Sequence, residues 1–342
     1  MDLLLDNEQQ QIVDATKSFV SDQLPIERLH GRDIPSSQLA DDLWKGIAEL
    51  GWLSMTLNED SGGVGYSDVE ECLVFRELGR MCSPPRILFT ALAAKVAERS
   101  GCNELASRLA RGETAAGYAA KENYGGHQSA LSSRVFEYQD ADYGLSMDDE
   151  LAQLVDTRGV VFEPRLGLDR SVSMAISDLS DCPVVAETPV QPVHQSAVLL
   201  QAAMYVGMAE ATTSMIVEYA KVRETFGKPI GSYQAVRHPC ADMAIRAETA
   251  RCQLFYASLV LSESEKCETS DVDLHVSSAR VLAEQAACKN SDDNIQLHGG
   301  IGVTDEFTAH YFLKRAQTMR FWFATNREHL STVLSTPMTP SR

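Results

Sequence analysis

The stretch Tyr219 to Gln234, YAKVRETFGKPIGSYQ, gathers residue types that suit an anionic ligand. Arg223 offers a planar fork of N–H donors that matches phosphate oxygens. Phe226 adds an aromatic ring, Gly227 and Gly231 permit a tight turn, and Gln234 adds an amide. A second stretch, Gln296 to Phe307, reads QLHGGIGVTDEF. Its Gly299, Gly300 and Gly302 allow another backbone or a phosphate to approach closely. Thr304 is placed to cap a following helix. A plainer reading of both stretches stays open. In it Arg223 pairs with a carboxylate, the glycines only cap helices, and His298 is a hydrogen-bonded turn residue.

Other chemistries find less support. The eight cysteines include no C-x-x-C pair, and the eight histidines form no H-E-x-x-H pattern, so no metal site is expected. Gly62-Gly63-Val64-Gly65 lacks the preceding strand and βαβ setting of a dinucleotide loop and reads as a turn, with Ser67 capping the next helix. The net charge of −18, from 48 acids against 30 bases, opposes nucleic-acid binding. No apolar run reaches the length of a membrane span, and the acidic start MDLLLDNEQQQ does not read as a secretory leader. Reduced thiols and a cytoplasmic location are the simplest expectation.

The elements that must position these residues follow from periodicity. Residues 1–112 read as helices: Asn7–Leu24, a helix carrying Leu39, Leu43, Ile47 and Leu50 capped by Ser36 or Ser37, then Val69–Arg80, Ile87–Arg99 and Glu104–Ala110. Residues 113–187 carry short apolar runs, Ala115–Ala120, Ser171–Ile176 and Val184–Val185, which read as strands. Residues 188–336 hold four long helical patterns, Ala197–Val222, Tyr233–Leu261, Asp271–Leu297 and Thr308–Leu330, and 337–342 form a tail. Four such helices with short connections imply an antiparallel four-helix bundle. The expected fold is mainly α: an N-terminal helical domain, a small β middle domain and the bundle.

R-x-x-F-G-x-x-I-x-x-Y-Q at Arg223–Gln234, followed by Q-x-x-G-G-x-G-x-x-x-E-F at Gln296–Phe307, is similar to the C-terminal domain of the acyl-CoA dehydrogenase family. LWKGIAELGWLSMTLNEDSGGVGYSDVEECLVFRELGR, residues 43–80, resembles its N-terminal domain, with Asn58 for a usual Pro and Arg76 for a usual Glu. The middle departs from the pattern. Only Glu122, Gly125 and Gly126 match the family's flavin-facing loop, and the region is short.

The resemblance implies FAD bound across a subunit interface. Arg223 would contact its pyrophosphate, and Phe226 and Gln234 would lie along it. Gln296, Gly299 and Gly300 would contact the adenosine half of the FAD held mainly by the neighbouring subunit. The family's reaction is α,β-dehydrogenation of an acyl-CoA substrate, with electrons passing on to an electron-transfer acceptor. It needs a carboxylate base in a dry pocket. The two positions that carry this base in the family fall here on Phe323 and Ala197, and neither is an acid. The chain therefore resembles the shorter, base-lacking subunit of heterotetrameric enzymes of steroid side-chain type, which pair with a paralogous catalytic subunit. Two alternatives stay open. One is a self-sufficient homodimer or homotetramer using Asp305, Glu306 or Glu122 as base. The other is a flavin-free structural or assembly protein on the same fold.

Overall fold

The computed structural model describes residues 4–31, 39–121, 132–264 and 267–336. The expected caps Ser36 and Ser37 and the tail 337–342 lie outside these residues. The chain divides into two compact units. One comprises Arg32–Glu71 and Pro84–Ala197, the other Met1–Gly31, Cys72–Ser83 and Val198–Arg342.

The first of these units joins three helices to a sheet. The helices are α2 (Asp41–Glu49), α4 (Arg86–Arg99) and α5 (Asn103–Ala110). Between α2 and α3 (Asp68–Arg80), the Gly62–Gly65 segment is a turn. Gly62 has φ +81°, and a Cβ on Gly63 would collide with the Leu57 backbone. Ser67 accepts from the Val69 amide, while Glu70 accepts from the Ser67 amide, so the start of α3 is capped in both directions. Helix α4 is buried from Arg86 to Ala97, the mark of a helix covered on every side.

Seven strands follow as a mixed sheet: β1 (Ala116–Lys121), β2 (Ser132–Phe136), β3 (Tyr143–Met147), β4 (Leu151–Asp156), β5 (Glu163–Arg165), β6 (Met174–Asp178) and β7 (Val184–Pro189). Their order is β5-β6-β2-β1-β3-β4-β7, with β1 and β3 parallel and the other pairs antiparallel. Ala119, Val135, Val155 and Leu179 pack as one core cluster of this unit. Helix α4 ties to the sheet through Thr90, whose hydroxyl accepts from the Ala116 amide at 3.2 Å, and through the stacked rings of Phe89 and Tyr118. The sequence marked three strands here. It left out β2, β3, β4 and β5, of which β5 has three residues, all exposed, and so carries no apolar alternation.

The second unit is helical. It contains α1 (Asn7–Gln23), most of α6 (Val190–Val222), and α7 (Gln234–Ser262), α8 (Thr269–His298), α9 (Ala309–Met319) and α10 (Asn326–Ser335). Small residues set its spacing. A Cβ on Gly207 of α6 would collide with the Arg76 carbonyl, and one on Gly79 with the backbone of Met204, so the two backbones cross in contact. Beside this crossing Arg76 and Arg80 bind Glu210 at 2.9 and 2.7 Å. Ala279, Ala283, Ala286 and Ala287 of α8 are buried, as their spacing implied. Asn290 donates to the carbonyls of Ala209 (3.3 Å) and Met243 (2.9 Å), fastening α8 to α6 and α7.

Two expectations are corrected. Thr308–Leu330 is not one helix: α9 stops at Met319, and α10 starts at Asn326 behind a capping box between Thr325 and Glu328. Thr304 caps no helix. Its hydroxyl donates back to the Ile301 carbonyl at 2.9 Å, and α9 begins after Thr308. No helix among the described residues is long and apolar enough to cross a membrane.

The crossing yields a prediction. Gly207→Ala forces the α3 and α6 backbones apart and should lower unfolding free energy by about 2–4 kcal/mol in a denaturant titration. A loss below about 0.5 kcal/mol, as at an ordinary surface site, would contradict this packing.

Candidate functional site

Helix α6 ends at Val222, and the next residues form a small hairpin of β8 (Glu224–Thr225) and β9 (Lys228–Pro229). The Arg223 amide donates to Tyr219 O at 2.9 Å, and the Ile230 amide closes back on Arg223 O at 2.8 Å. The two turn residues, Phe226 and Gly227, both have positive φ, +50° and +78°. That is the pattern of a type I′ hairpin, which suits Gly227 and strains Phe226. The Phe226 ring is 93% exposed, so the strain is not offset by burial. Tyr233 braces the hairpin from below. Its hydroxyl donates to Thr225 O at 3.0 Å, and Lys228 Nζ lies 4.4 Å from its ring centroid. A Cβ on Gly231 would sit 3.0 Å from Ala220 O, a tight approach that glycine avoids.

This loop presents Arg223 to solvent, with no carboxylate partner among the described residues. Gln234 is exposed and opens α7, a helix of 29 residues whose first turn no side chain caps. Its free N–H groups and the positive end of its dipole favour an anion beside Arg223.

The glycine turn lies at the end of α8. Gly299 has φ +67°, and Gly299–Val303 wind as a short 3-10 turn. The three glycines differ in purpose. A Cβ on Gly302 would lie 2.7 Å from Ile295 O, so Gly302 serves packing. A Cβ on Gly299 or Gly300 would meet nothing within 4 Å. Nothing in the packing of the described residues requires Gly300, whose open side leaves room for an outside group. Gln296 is exposed next to them.

His298 brings the two stretches together. Its ring lies 4.3 Å from that of Tyr219 and 4.6 Å from that of Phe307, centroid to centroid. Nδ1 donates to Asn294 O at 2.7 Å, because the carbonyl can only accept. Burial holds the imidazole pKa below its usual value, so the ring is neutral. It is a hydrogen-bonded turn residue, as expected. The ring stack that it makes was not foreseen, although Tyr219 and Phe307 stand inside the two quoted stretches.

Family models agree with this arrangement. Residues 6–113 match the acyl-CoA dehydrogenase N-terminal domain and residues 197–335 its C-terminal domain, together well over half the chain. This chain belongs to the acyl-CoA dehydrogenase family. FadE34 of Mycobacterium tuberculosis is 37% identical over 290 residues, a match that takes in 80% of this chain and 40% of FadE34's length. The Tcur3481-Tcur3483 steroid ACAD shares the fold, with TM-score 0.83 at 23% identity over 96% of this chain and 97% of that one. So does the ChsE4-ChsE5 complex of M. tuberculosis, with TM-score 0.83 at 21% identity over 99% and 100%.

The chain is thus of an oxidoreductase family whose cofactor is FAD. The residues present fit that cofactor. A guanidinium unpaired among the described residues, an uncapped helix start and open-sided glycines suit a pyrophosphate and its flanking sugars. The base positions are another matter. Ala197 is fully buried on α6, and Phe323 is 2% exposed in the turn between α9 and α10. Asp305 is 86% exposed and lies 3.6 Å from His310, and Glu306 is exposed too, so neither sits in a dry pocket. Glu122, Gly125 and Gly126 lie outside the described residues. Among the described residues no group of three or more His, Cys, Asp or Glu could hold a metal ion.

The turn at Phe323 is strained. Phe323 and Ala324 both lie in the left-handed region, with φ +52° and +79°. His329 Nε2 donates to Phe323 O at 3.2 Å, and its Nδ1 accepts from Ser277 Oγ at 3.3 Å. Gln201 donates to Met319 O at 2.6 Å, and Arg320 pairs with Glu284 at 2.8 Å, so the α9 side of the turn is pinned. Since left-handed backbone costs a non-glycine residue about 1–2 kcal/mol, Ala324→Gly should raise stability by about 0.5–1 kcal/mol in thermal or denaturant unfolding. A fall in stability, the usual result of glycine at an unstrained site, would contradict the strain.

Proposed function

We infer that this chain is the accessory subunit of a heteromeric FAD-dependent acyl-CoA dehydrogenase. The reaction is α,β-dehydrogenation of an acyl-CoA thioester, with a bulky acyl group of steroid type. One observation carries this reading: a cofactor half-site with its cation unpaired among the described residues stands in a chain whose base positions hold Phe323 and Ala197. A cytoplasmic location goes with it.

In this reading Arg223 binds the FAD pyrophosphate, and Phe226 and Gln234 line the cofactor. Gln296, Gly299 and Gly300 take the adenosine half of an FAD held mainly by the partner. The flavin, when bound, supplies hydride acceptance from the substrate β-carbon. This chain orients the cofactor and takes no proton. The α-proton goes to a carboxylate of a paralogous partner subunit, and an electron-transfer acceptor drains the electrons. The ChsE4-ChsE5 complex and the Tcur3481-Tcur3483 steroid ACAD, each named for two proteins and each holding a chain of this fold, support the heteromeric form. The homomeric alternative is weaker, because Asp305 and Glu306 are exposed and neither sits in a dry pocket.

Reconstitution tests the reading. The chain alone should show no acyl-CoA-dependent acceptor reduction, and addition of the longer paralogous subunit should produce a flavin absorbance band and turnover. In that complex Arg223→Ala should weaken FAD binding by roughly 10–100-fold, the loss of one charge-assisted contact. Stoichiometric flavin and dehydrogenation by the chain alone would overturn the proposal.

A further inference from the structure

We propose that His298 is a positioning residue that couples the two cofactor-facing segments of this chain, the Arg223 hairpin and the Gly299–Gly300 turn, into one rigid frame. The inference rests on the cofactor reading above and assigns that site a residue that touches neither segment's ligand face.

The path is continuous. The Arg223 amide is held by Tyr219 O, the Tyr219 ring lies against the His298 ring, and His298 leads by a peptide bond into Gly299. Phe307 covers the ring a second time, and Tyr219 and Phe307 themselves lie 6.3 Å apart. The Nδ1–H bond to Asn294 O fixes the ring plane against α8. His298 Cβ would stand 3.1 Å from a Cβ on Gly302, so the glycine turn can fold over the ring only without a side chain there. His298 is 5% exposed, and its Nε2 has no hydrogen-bond partner among the described residues. A buried acceptor left unmade is costly, so the site keeps this ring for its placement and not for surface contact. Displacement of either segment must move the imidazole, and through it the other segment. In a heteromer where the two segments face different flavins, occupancy of one is felt at the other.

Hydrogen exchange reads this coupling without flavin. In the purified chain, His298→Ala should speed exchange at the Arg223 and Ile230 amides and at the Thr304 amide together, each by about tenfold, while the β1 amides hold their wild-type rates. His298→Phe, which returns a ring to the stack, should bring both segments back to within about twofold of wild type. A change confined to the Thr304 side, a uniform rise that includes β1, or failure of Phe to restore protection overturns the inference. In the reconstituted complex His298→Ala should raise the Kd for FAD about tenfold with turnover at saturating FAD unchanged. A wild-type complex that binds no FAD would sink the proposed function, while the exchange measurement still decides the role of His298.

Discussion

A contact of 4.3 Å between two rings, Tyr219 and His298, holds the ends of two long helices side by side. The candidate site depends on it, because α6 delivers the Arg223 hairpin and α8 delivers the glycine turn. Long helices alone would not align these ends. Their alignment comes from contacts further along: Asn290 and the buried alanines of α8 fix α8 against its neighbours, while the Gly79 and Gly207 contacts and the Glu210 ion pairs fix α6 against α3. Small residues bring the backbones close, polar pins fix the register, and the rings close the end. Loops built on such a base can keep charged and open-sided residues unpaired, at a cost carried by the packed bundle.

The same bundle also holds a strained turn at Phe323, the position at which the family resemblance expects the base. Phe323 and Ala324 keep left-handed backbone although neither is glycine, and His329, Gln201 and Arg320 restrain the turn or its flanks. Strain of this kind persists only when its surroundings over-determine it. What sits there is a buried aromatic ring, which cannot accept a proton. In the proposed reading the chain keeps a cofactor-holding geometry and a turn of unusual shape without the acid. A partner subunit that supplies the missing carboxylate reconciles the two.

Much of this was legible in the sequence, and the failures have physical causes. The long helices and both motifs were readable because helical periodicity and turn glycines are local signals. The break between α9 and α10 was not, because Phe321, Trp322 and Phe323 continue an apolar helical pattern and the restraints on the turn come from distant Gln201, Ser277 and Glu284. Thr304 has the chemistry of a cap but turns back on Ile301. The hairpin at Phe226 was read as a plain turn, since two-residue strands leave no alternation to see. Most of the sheet was hidden for a related reason: β5 is polar and exposed, and the β1–β3 pairing is parallel, so partners are set by tertiary contact. The difference between Gly302, needed for packing, and Gly300, needed by nothing in the packing of the described residues, is also invisible without coordinates.

The account turns on one asymmetry, a cofactor-holding chain that performs no proton abstraction. The most direct measurement is acyl-CoA-dependent acceptor reduction by the reconstituted heteromer after the partner subunit's base carboxylate is changed to its amide. Complete loss of turnover, with the flavin band retained, is the predicted result. Persistent turnover would place a working base in this chain and contradict the account.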